Sequence, residues 1–137
     1  MTLRKIAYIG PLNCYTKTKK IKESLYKIKQ LDPHNTVIVS GGNDTGIEFD
    51  VKVNALAFGL MYKEFTPAFK DKNEWSIEKD EYYNKKYHYS FIIDRYNKLV
   101  RYCDMIVFGH DENSAIDPIY VKMLEVAQKK GKKIVFI

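Results

Sequence analysis

The fold is decided by one stretch of sequence, TVIVSGGNDTGIEFD, which occupies residues 36–50. Its first five residues are mostly β-branched and apolar, which is typical of a strand buried on both faces of a parallel sheet. A glycine-rich turn over residues 41–46 follows at once, and apolar residues at positions 47, 51, 55 and 58 then predict a helix. Unpaired backbone amides at the start of such a helix attract anions. The stretch therefore predicts a strand, an anion-binding loop and a helix.

The rest of the chain repeats this alternation. Short apolar runs predict further strands at residues 5–9, 62–65, 105–108 and 133–137. Helical patterns separate them at about 18–31, 47–60, 81–102 and 118–130, the last of these with Asp117 as its cap. Alternating strands and helices predict a Rossmann-like, three-layer α/β/α fold with a mostly parallel sheet of about five strands. A chain of 137 residues has the length of one domain, so we expect a single domain over 1–137.

Composition limits the partners that this domain is expected to have. The net charge of +6 favours anionic partners such as nucleotides or nucleic acid, although lysines at 17–29 and 129–133 also suit solvated helix faces. Two cysteines and three histidines show no metal-like spacing, so neither a metal site nor a cofactor is indicated. No apolar run is long enough for a signal peptide or a membrane span, and we expect a cytoplasmic protein without a membrane partner.

The glycine-rich turn is the candidate ligand site. It matches neither a Walker A loop nor a complete G-x-G-x-x-G motif, and its glycines can instead serve turn geometry alone. Its place at the carboxyl end of a parallel strand favours the ligand site, because open α/β sheets bind ligands at that edge. The loop after the first strand borders the same crevice. The candidate ligand-binding residues of these two loops are Asn13, Tyr15, Ser40, Gly41, Gly42, Asn43, Thr45 and Gly46.

A longer stretch carries a family resemblance. IVSGGNDTGIEFDVKVNALAFGL, residues 38–60, resembles the second strand, glycine loop and helix of the SLOG superfamily. Arg95, the MIVF run after Asp104 and the closing GKKIVFI agree with it, and the small YspA-like members are most similar. The resemblance implies a Rossmann-like domain that binds, senses or sequesters nucleotide-derived ligands, with Arg95 directed at a phosphate. The alternative for Arg95 is a surface arginine paired with a neighbour such as Asp94.

An enzyme is the second hypothesis. The superfamily's phosphoribohydrolases carry a Pro-Gly-Gly-x-Gly-Thr-x-x-Glu loop, and the equivalent residues here, GHDENSAID at 109–117, lack its Pro-Gly-Gly. Cleavage of a nucleotide N-glycosidic bond needs a positioned carboxylate, which leaves Glu48, Asp111 and Glu112 as candidate catalytic residues. Glu48 or Asp50 is equally a candidate for contact with a ribose hydroxyl, and Glu48 also suits the first turn of its helix. We favour binding without turnover.

Residues 66–90 form an aromatic-rich insertion. Its large aromatic residues are Phe69, Trp75, Tyr82, Tyr83, Tyr87 and Tyr89. Such a segment can stack on a base, close over the site as a lid, or join two copies of the chain into a homo-oligomer. Basic clusters with interleaved tyrosines also suit single-stranded nucleic acid. Nucleic acid is the less favoured partner because the lysines are spread over several elements and no nucleic-acid-binding motif is present.

Overall fold

The architecture is a parallel sheet between two pairs of helices. The computed structural model describes residues 3–137. The strands are β1 (Arg4–Ile9), β2 (Thr36–Ser40), β3 (Met61–Glu64), β4 (Met105–Phe108) and β5 (Lys133–Phe136). The helices are α1 (Thr18–Leu31), α2 (Gly46–Ala57), α3 (Ser90–Tyr102) and α4 (Pro118–Lys129), with a 3-10 turn at Asp80–Tyr82. The sheet has five strands in the order β3-β2-β1-β4-β5, and all neighbouring pairs are parallel.

Both faces of the sheet are buried, which explains the continuous apolar runs of its central strands. Ile6 and Ile38 pack in one core cluster with residues of α1 and α2, whereas Ala7 and Val39 pack in a second cluster with residues of α3 and α4. Successive strand residues therefore enter opposite cores, as the twofold periodicity of a strand requires. The predicted Rossmann-like, three-layer α/β fold is confirmed.

The predicted helix over residues 81–102 is wrong in its first part, since α3 begins only at Ser90. Asn84 has a φ of 61°, a left-handed conformation that interrupts a helix. The backbone amides of Asn84 and Lys85 donate to the carbonyls of Lys70 and Ala68, over 3.1 and 2.9 Å. The segment before Ser90 is therefore fastened to the preceding loop, a long-range pairing that helical periodicity does not reveal.

The strand order places a crevice beside β1. The chain leaves β1 for α1 and β2 on one side, and reaches β4 and α4 on the other, so the loops after β1 and β4 diverge at the carboxyl edge. Gly10 and Gly109 follow the last residues of these two strands. A Cβ at Gly10 would collide with the Gly109 carbonyl and the Ile47 side chain. Glycine at position 10 thus permits the close approach of strand and helix that forms the floor of the crevice.

Within residues 3–137, no helix has the length and apolar character that a membrane span needs.

Candidate functional site

Two adjoining clefts occupy the carboxyl edge of the sheet. The first cleft, about 670 Å³, lies between the β1–α1 loop (residues 10–17) and the β4–α4 loop (residues 109–117). We call it the switch-point cleft, because the strand order reverses beside β1 at this place. The glycine-loop cleft, about 370 Å³, lies between the glycine loop (residues 41–45), residues 67–70 and the start of α3. Leu12, Asp117 and Tyr120 line both clefts. We call these two adjoining clefts together the trough.

A third depression, about 490 Å³, lies between α4 and β5, away from the glycine loop. Its lining is mostly apolar, with Ile134 and Phe136 on the strand and Val121 and Leu124 on the helix. Ligand sites combine apolar surface with convergent polar groups. The trough meets that description better, since part of the glycine loop, three aspartates and a buried arginine line it.

The glycine loop rests on a buried carboxylate. Glu48, in the first turn of α2, is fully buried. The Tyr96 hydroxyl donates to its Oε2 over 2.8 Å, and the backbone amide of Asn43 donates to its Oε1 over 3.4 Å. Burial raises the pKa of Glu48, and the nearby positive charge of Arg95 opposes that rise. Glu48 thus holds the loop from beneath and lines neither cleft of the trough.

Arg95 braces the same loop from α3. Only 6% of it is exposed, and its Nη1 donates to the Gly41 carbonyl over 2.9 Å. Its Nη2 donates to the Tyr96 hydroxyl over 3.3 Å, and its buried Nε has no hydrogen-bond partner among residues 3–137. Arg95 also lines the glycine-loop cleft. Arg95 is therefore a buried guanidinium at the wall of this cleft that retains one donor unused by residues 3–137.

A second polar chain supports the other side of the glycine loop. The Ser40 hydroxyl accepts from the Gly42 amide over 3.1 Å and donates to the Tyr62 hydroxyl over 2.6 Å. Tyr62 in turn donates to the buried Glu64 over 2.7 Å, and Lys52 lies 3.5 Å from that carboxylate. Burial, followed by the charge of Glu64, raises the pKa of Tyr62. The loop is therefore anchored at both sides, and Ser40, Gly41 and Gly42 lie below the lining of the trough.

The start of α2 is covered by the β1–α1 loop. Gly46 has a φ of 74°, and a Cβ there would collide with the carbonyl oxygens of Pro11 and Leu12. The Ile47 amide donates to Pro11 over 3.3 Å, and the Thr45 hydroxyl donates to Leu12 over 2.9 Å. The Ile47 amide is therefore already engaged. The open side of the glycine loop is the side where Asn43 and Thr45 line the cleft.

Of the remaining candidate residues from the sequence, some line the trough and others do not. Asn13, Tyr15 and Asp111 line the switch-point cleft, and 62% of Tyr15 is exposed. Glu112 instead forms an ion pair with the buried Lys17, over 2.6 Å, and this hydrogen bond lowers the pKa of Glu112 and raises that of Lys17. Asp50 accepts a hydrogen bond from Thr18 over 2.8 Å, so it joins α2 to α1.

Sequence reasoning missed several residues of the trough. Lys70 lines the glycine-loop cleft, where its Nζ lies 3.0 Å from Asp44. His110 lies two residues after the end of β4 and lines the switch-point cleft, and its Nδ1 is buried without a partner among residues 3–137. The position of His110 after a strand was the available signal. Lys70 carried no such signal, because residues 66–80 follow no periodic pattern.

The aromatic insertion divides into an inward and an outward part. Trp75 packs edge-on against Tyr62, with the Lys52 ammonium 4.2 Å from its ring, and Tyr83 is buried. Tyr87 is exposed and its ring lies 4.9 Å from that of Phe69, which lines the glycine-loop cleft. The insertion therefore contributes both to the core and to the rim of the trough.

Comparison with known proteins gives structural relatives only. No family model matches the chain, and no curated protein matches it. The molybdenum cofactor binding protein of the phototrophic bacterium Rippkaea orientalis superposes with a TM-score of 0.71 at 16% identity, over 99% of this chain and 77% of that one. The molybdenum cofactor carrier protein of Chlamydomonas reinhardtii gives 0.66 at 15% identity, over 98% and 76%.

A third solved structure is DNA processing protein A from Helicobacter pylori, which was studied for its binding of single-stranded DNA. It gives a TM-score of 0.71 at 18% identity, over 98% of this chain and 65% of that one. Identities this low establish the fold and leave ligand and activity open. The chain therefore has the Rossmann-like α/β fold of these three proteins, which is the fold that the resemblance of its glycine-loop motif predicted.

Proposed function

We propose that the trough binds a phosphorylated, nucleotide-type small molecule and that the chain serves to bind, sense or sequester it. The observation that carries this proposal is Arg95, a buried guanidinium at the wall of the glycine-loop cleft with an Nε that lacks a partner among residues 3–137. A buried donor without a partner is costly, so a ligand that satisfies it gains affinity. A phosphate suits it, because guanidinium and phosphate form charge-assisted, directional hydrogen bonds.

The phosphate is proposed to lie against Asn43, Thr45 and Arg95, with Lys70 at the rim. Asn43 and Thr45 contribute polar side chains on the open side of the glycine loop. Lys70 is partly neutralised by Asp44, and both lie at the cleft mouth. Gly41, Gly42 and Gly46 give the loop its shape, while Glu48 and Ser40 hold it from beneath. The buried surroundings of Arg95 strengthen its attraction for an anion relative to an exposed pair.

The structural neighbours support a small-molecule cargo. Two of them are named for binding or carrying the molybdenum cofactor. Their superposition covers nearly all of this chain, and the trough lies at the carboxyl edge of the sheet, where open α/β folds bind ligands. We transfer from them only the general proposal that this fold holds a small molecule here.

Binding is favoured over turnover because of where the candidate carboxylates lie. Glu48 is buried beneath the loop, and Glu112 is paired with Lys17. Asp111 is the remaining one of the three, and it lines the switch-point cleft. Glycoside cleavage commonly uses two carboxylates across the scissile bond. Asp117 lines the same cleft but serves as the cap of α4, so this pair fits ligand contact better than that chemistry.

The proposal is tested by thermal unfolding with a panel of mono-, di- and cyclic nucleotides, NAD and ADP-ribose. A ligand at 100 times its Kd stabilises by roughly 2.7 kcal/mol, which shifts Tm by several degrees in a domain of this size. Arg95→Gln is expected to abolish the shift, and Arg101→Gln, an exposed arginine on the same helix, to retain it. If no phosphorylated compound shifts Tm, the proposal fails. Product analysis of the same mixtures reveals any turnover.

A second candidate function is binding of single-stranded nucleic acid, favoured by the exposed lysines of α1. These residues are Lys19, Lys20, Lys22, Lys27 and Lys29. Contacts of lysine with phosphates release counterions, so affinity for an oligothymidylate would fall steeply with salt. A Kd that changes little between about 50 and 200 mM salt, or no binding at all, would eliminate this candidate.

A further inference from the structure

The two halves of the trough differ in charge. Its lysine and arginine lining residues, Arg95 and Lys70, both belong to the glycine-loop cleft. The lining of the switch-point cleft contains Asp111 and Asp117 and, within the described chain, neither a lysine nor an arginine. The buried Lys17 lies nearby, but its ammonium is engaged by Glu112 over 2.6 Å. The cations of the trough therefore lie in the glycine-loop cleft, where Asp44 and Asp117 are also part of the lining, and the switch-point cleft offers carboxylates without a cation among residues 3–137.

The two aspartates retain acceptor capacity for a ligand. The Oδ1 of Asp111 accepts from the backbone amide of Asn113 over 3.0 Å, and the Oδ1 of Asp117 accepts from the backbone amide of Ile119 over 2.9 Å. No ion pair within residues 3–137 involves either carboxylate. An ionised carboxylate only accepts hydrogen bonds and has about four lone-pair directions. The switch-point cleft is therefore unfavourable for a phosphate and favourable for a group rich in N–H donors.

We propose that the switch-point cleft binds the edge of a heterocycle that presents two adjacent N–H donors, a ring N–H beside an exocyclic amino group. This inference rests on the proposed function, because the phosphate at Arg95 fixes the orientation of the ligand. Guanine and pterins carry this 2-amino-4-oxopyrimidine edge. Adenine and cytosine place an acceptor nitrogen beside the amino group, and that acceptor would face a carboxylate oxygen with like partial charge.

Other lining groups suit the same ring. The carbonyl next to the ring N–H needs a donor, and His110 has a buried Nδ1 without a partner among residues 3–137. Tyr15 and Leu12 are exposed at the mouth of the cleft and offer apolar surface to the faces of a planar ring. The side of the ligand that carries the phosphate then passes Asp117 and Tyr120 toward Arg95.

The test compares guanosine and inosine 5′-monophosphates, which differ only by the amino group, by isothermal titration of the whole chain. We expect GMP to bind at least about tenfold more tightly than IMP, the scale of one good bidentate base contact. Adenosine 5′-monophosphate is expected to bind more weakly still. Equal affinities for GMP, IMP and AMP would overturn the inference while leaving the proposed function intact. Absence of binding by every phosphorylated compound would instead defeat the proposed function.

Variants locate the discrimination. Asp111→Asn and Asp117→Asn each keep an oxygen for the local backbone amide, and at least one of them is expected to reduce the GMP-to-IMP affinity ratio to about one. Asp71→Asn, an exposed aspartate outside the trough, is the matched control and should keep the ratio. Because the ratio compares two ligands on one protein, a loss of stability does not alter its meaning. An unchanged ratio in both variants would overturn the inference.

A final binding comparison distinguishes the two ring systems, guanine and pterin, that carry this edge. 6-Hydroxymethylpterin monophosphate carries the pterin ring, and GMP carries guanine with a ribose between ring and phosphate. Tighter binding of one identifies the ring system that the cleft accommodates, and both results support the inference. Failure of both compounds alongside tight binding of AMP would overturn it.

Discussion

The glycine loop and the β4–α4 loop each line one cleft of the trough, and they are held in opposite ways. The glycine loop rests on Glu48, a fully buried carboxylate that accepts from the Tyr96 hydroxyl. The β4–α4 loop is held through Glu112, an exposed carboxylate whose side chain pairs with Lys17. Burial raises the pKa of Glu48, whereas the hydrogen bond from Lys17 lowers the pKa of Glu112. One wall is thus fixed by buried groups, and the other by an ion pair whose carboxylate is exposed to solvent.

This difference assigns different tasks to the two walls. A loop anchored on buried, hydrogen-bonded groups keeps its geometry, which favours a fixed phosphate position. A loop held through an exposed carboxylate responds to pH and to salt, because solvent and ions reach that charge. We expect the glycine loop to supply a constant anchor and the β4–α4 loop to adjust to the rest of the ligand.

The largest expected effect comes from Gly46→Ala, which tests how tightly the glycine-loop wall is built. Gly46 has a positive φ, and an added Cβ meets two backbone carbonyls that have little freedom to move. We expect the free energy of unfolding to fall by about 3 kcal/mol or more, from left-handed strain and overpacking together. Gly59→Ala is the control, since Gly59 has a φ of 71° and open space around it, and should cost about 1 kcal/mol. Equal losses in urea unfolding would contradict the close contact.

A second prediction concerns the pH dependence of the buried anchor. Because the pKa of Glu48 is raised on folding, the folded state holds its proton over a range where the unfolded state has lost it. The stability contribution of Glu48 therefore falls as pH rises from about 4.3, the unfolded-state value, through its raised folded-state pKa. Glu48→Gln removes this titration.

Urea unfolding between pH 4 and pH 8 measures the effect. The stability of the wild-type chain minus that of Glu48→Gln should decrease as pH rises. Glu74→Gln, at an exposed position in the insertion, serves as the control and should follow the wild-type curve. A difference between wild type and Glu48→Gln that is constant with pH would mean that burial does not perturb the pKa of Glu48.

The sequence predicted the structure of the glycine loop better than that of the β4–α4 loop. TVIVS and the glycines after it predicted a buried strand and a loop at the ligand edge, because strand burial and turn geometry are local properties. Sequence did not reveal that Glu48 lies under the loop. Its first-turn position suits the helix dipole equally well, and only the approach of Tyr96 from α3 makes it a buried anchor.

Long-range contacts explain the other differences. The pairing of Lys17 with Glu112 joins residues that are 95 positions apart, and nothing local predicts it. The shortened α3 has the same origin, since Asn84 and Lys85 bond to residues 68–70 instead of continuing the helix. Periodicity predicts which face of an element is apolar, and it leaves the choice among polar partners to tertiary structure.

A third, smaller effect is expected at the end of the β4–α4 wall. Asp117 caps α4 by accepting from the Ile119 amide over 2.9 Å. Asp117→Ala leaves that amide without the cap and should lower the free energy of unfolding by about 1 kcal/mol. Glu125→Ala, exposed on the same helix, should change it by less than about 0.5 kcal/mol. Equal effects in chemical unfolding would show that the cap does not stabilise α4.

The smallest effect on global stability is expected from Glu112→Gln, which removes the charge from the exposed partner of Lys17. A lowered pKa of Glu112 means that its contribution is present above the unfolded-state value, about 4.3, and is lost as pH falls through the folded-state pKa. The raised pKa of Lys17 keeps its contribution intact below about 10.4 and loses it at higher pH. At neutral pH the pair is therefore complete in the wild-type chain.

We expect Glu112→Gln to loosen the β4–α4 loop locally, because global unfolding exposes far more than this one contact. Hydrogen exchange at residues 109–117 should become faster at pH 7, while exchange in the glycine loop stays unchanged. Acidification of the wild-type chain, or added salt, should reproduce the faster exchange, since both weaken an exposed ion pair. Faster exchange in both loops would contradict the division between a buried anchor and an exposed one, for it would mean that Lys17 and Glu112 support the whole trough.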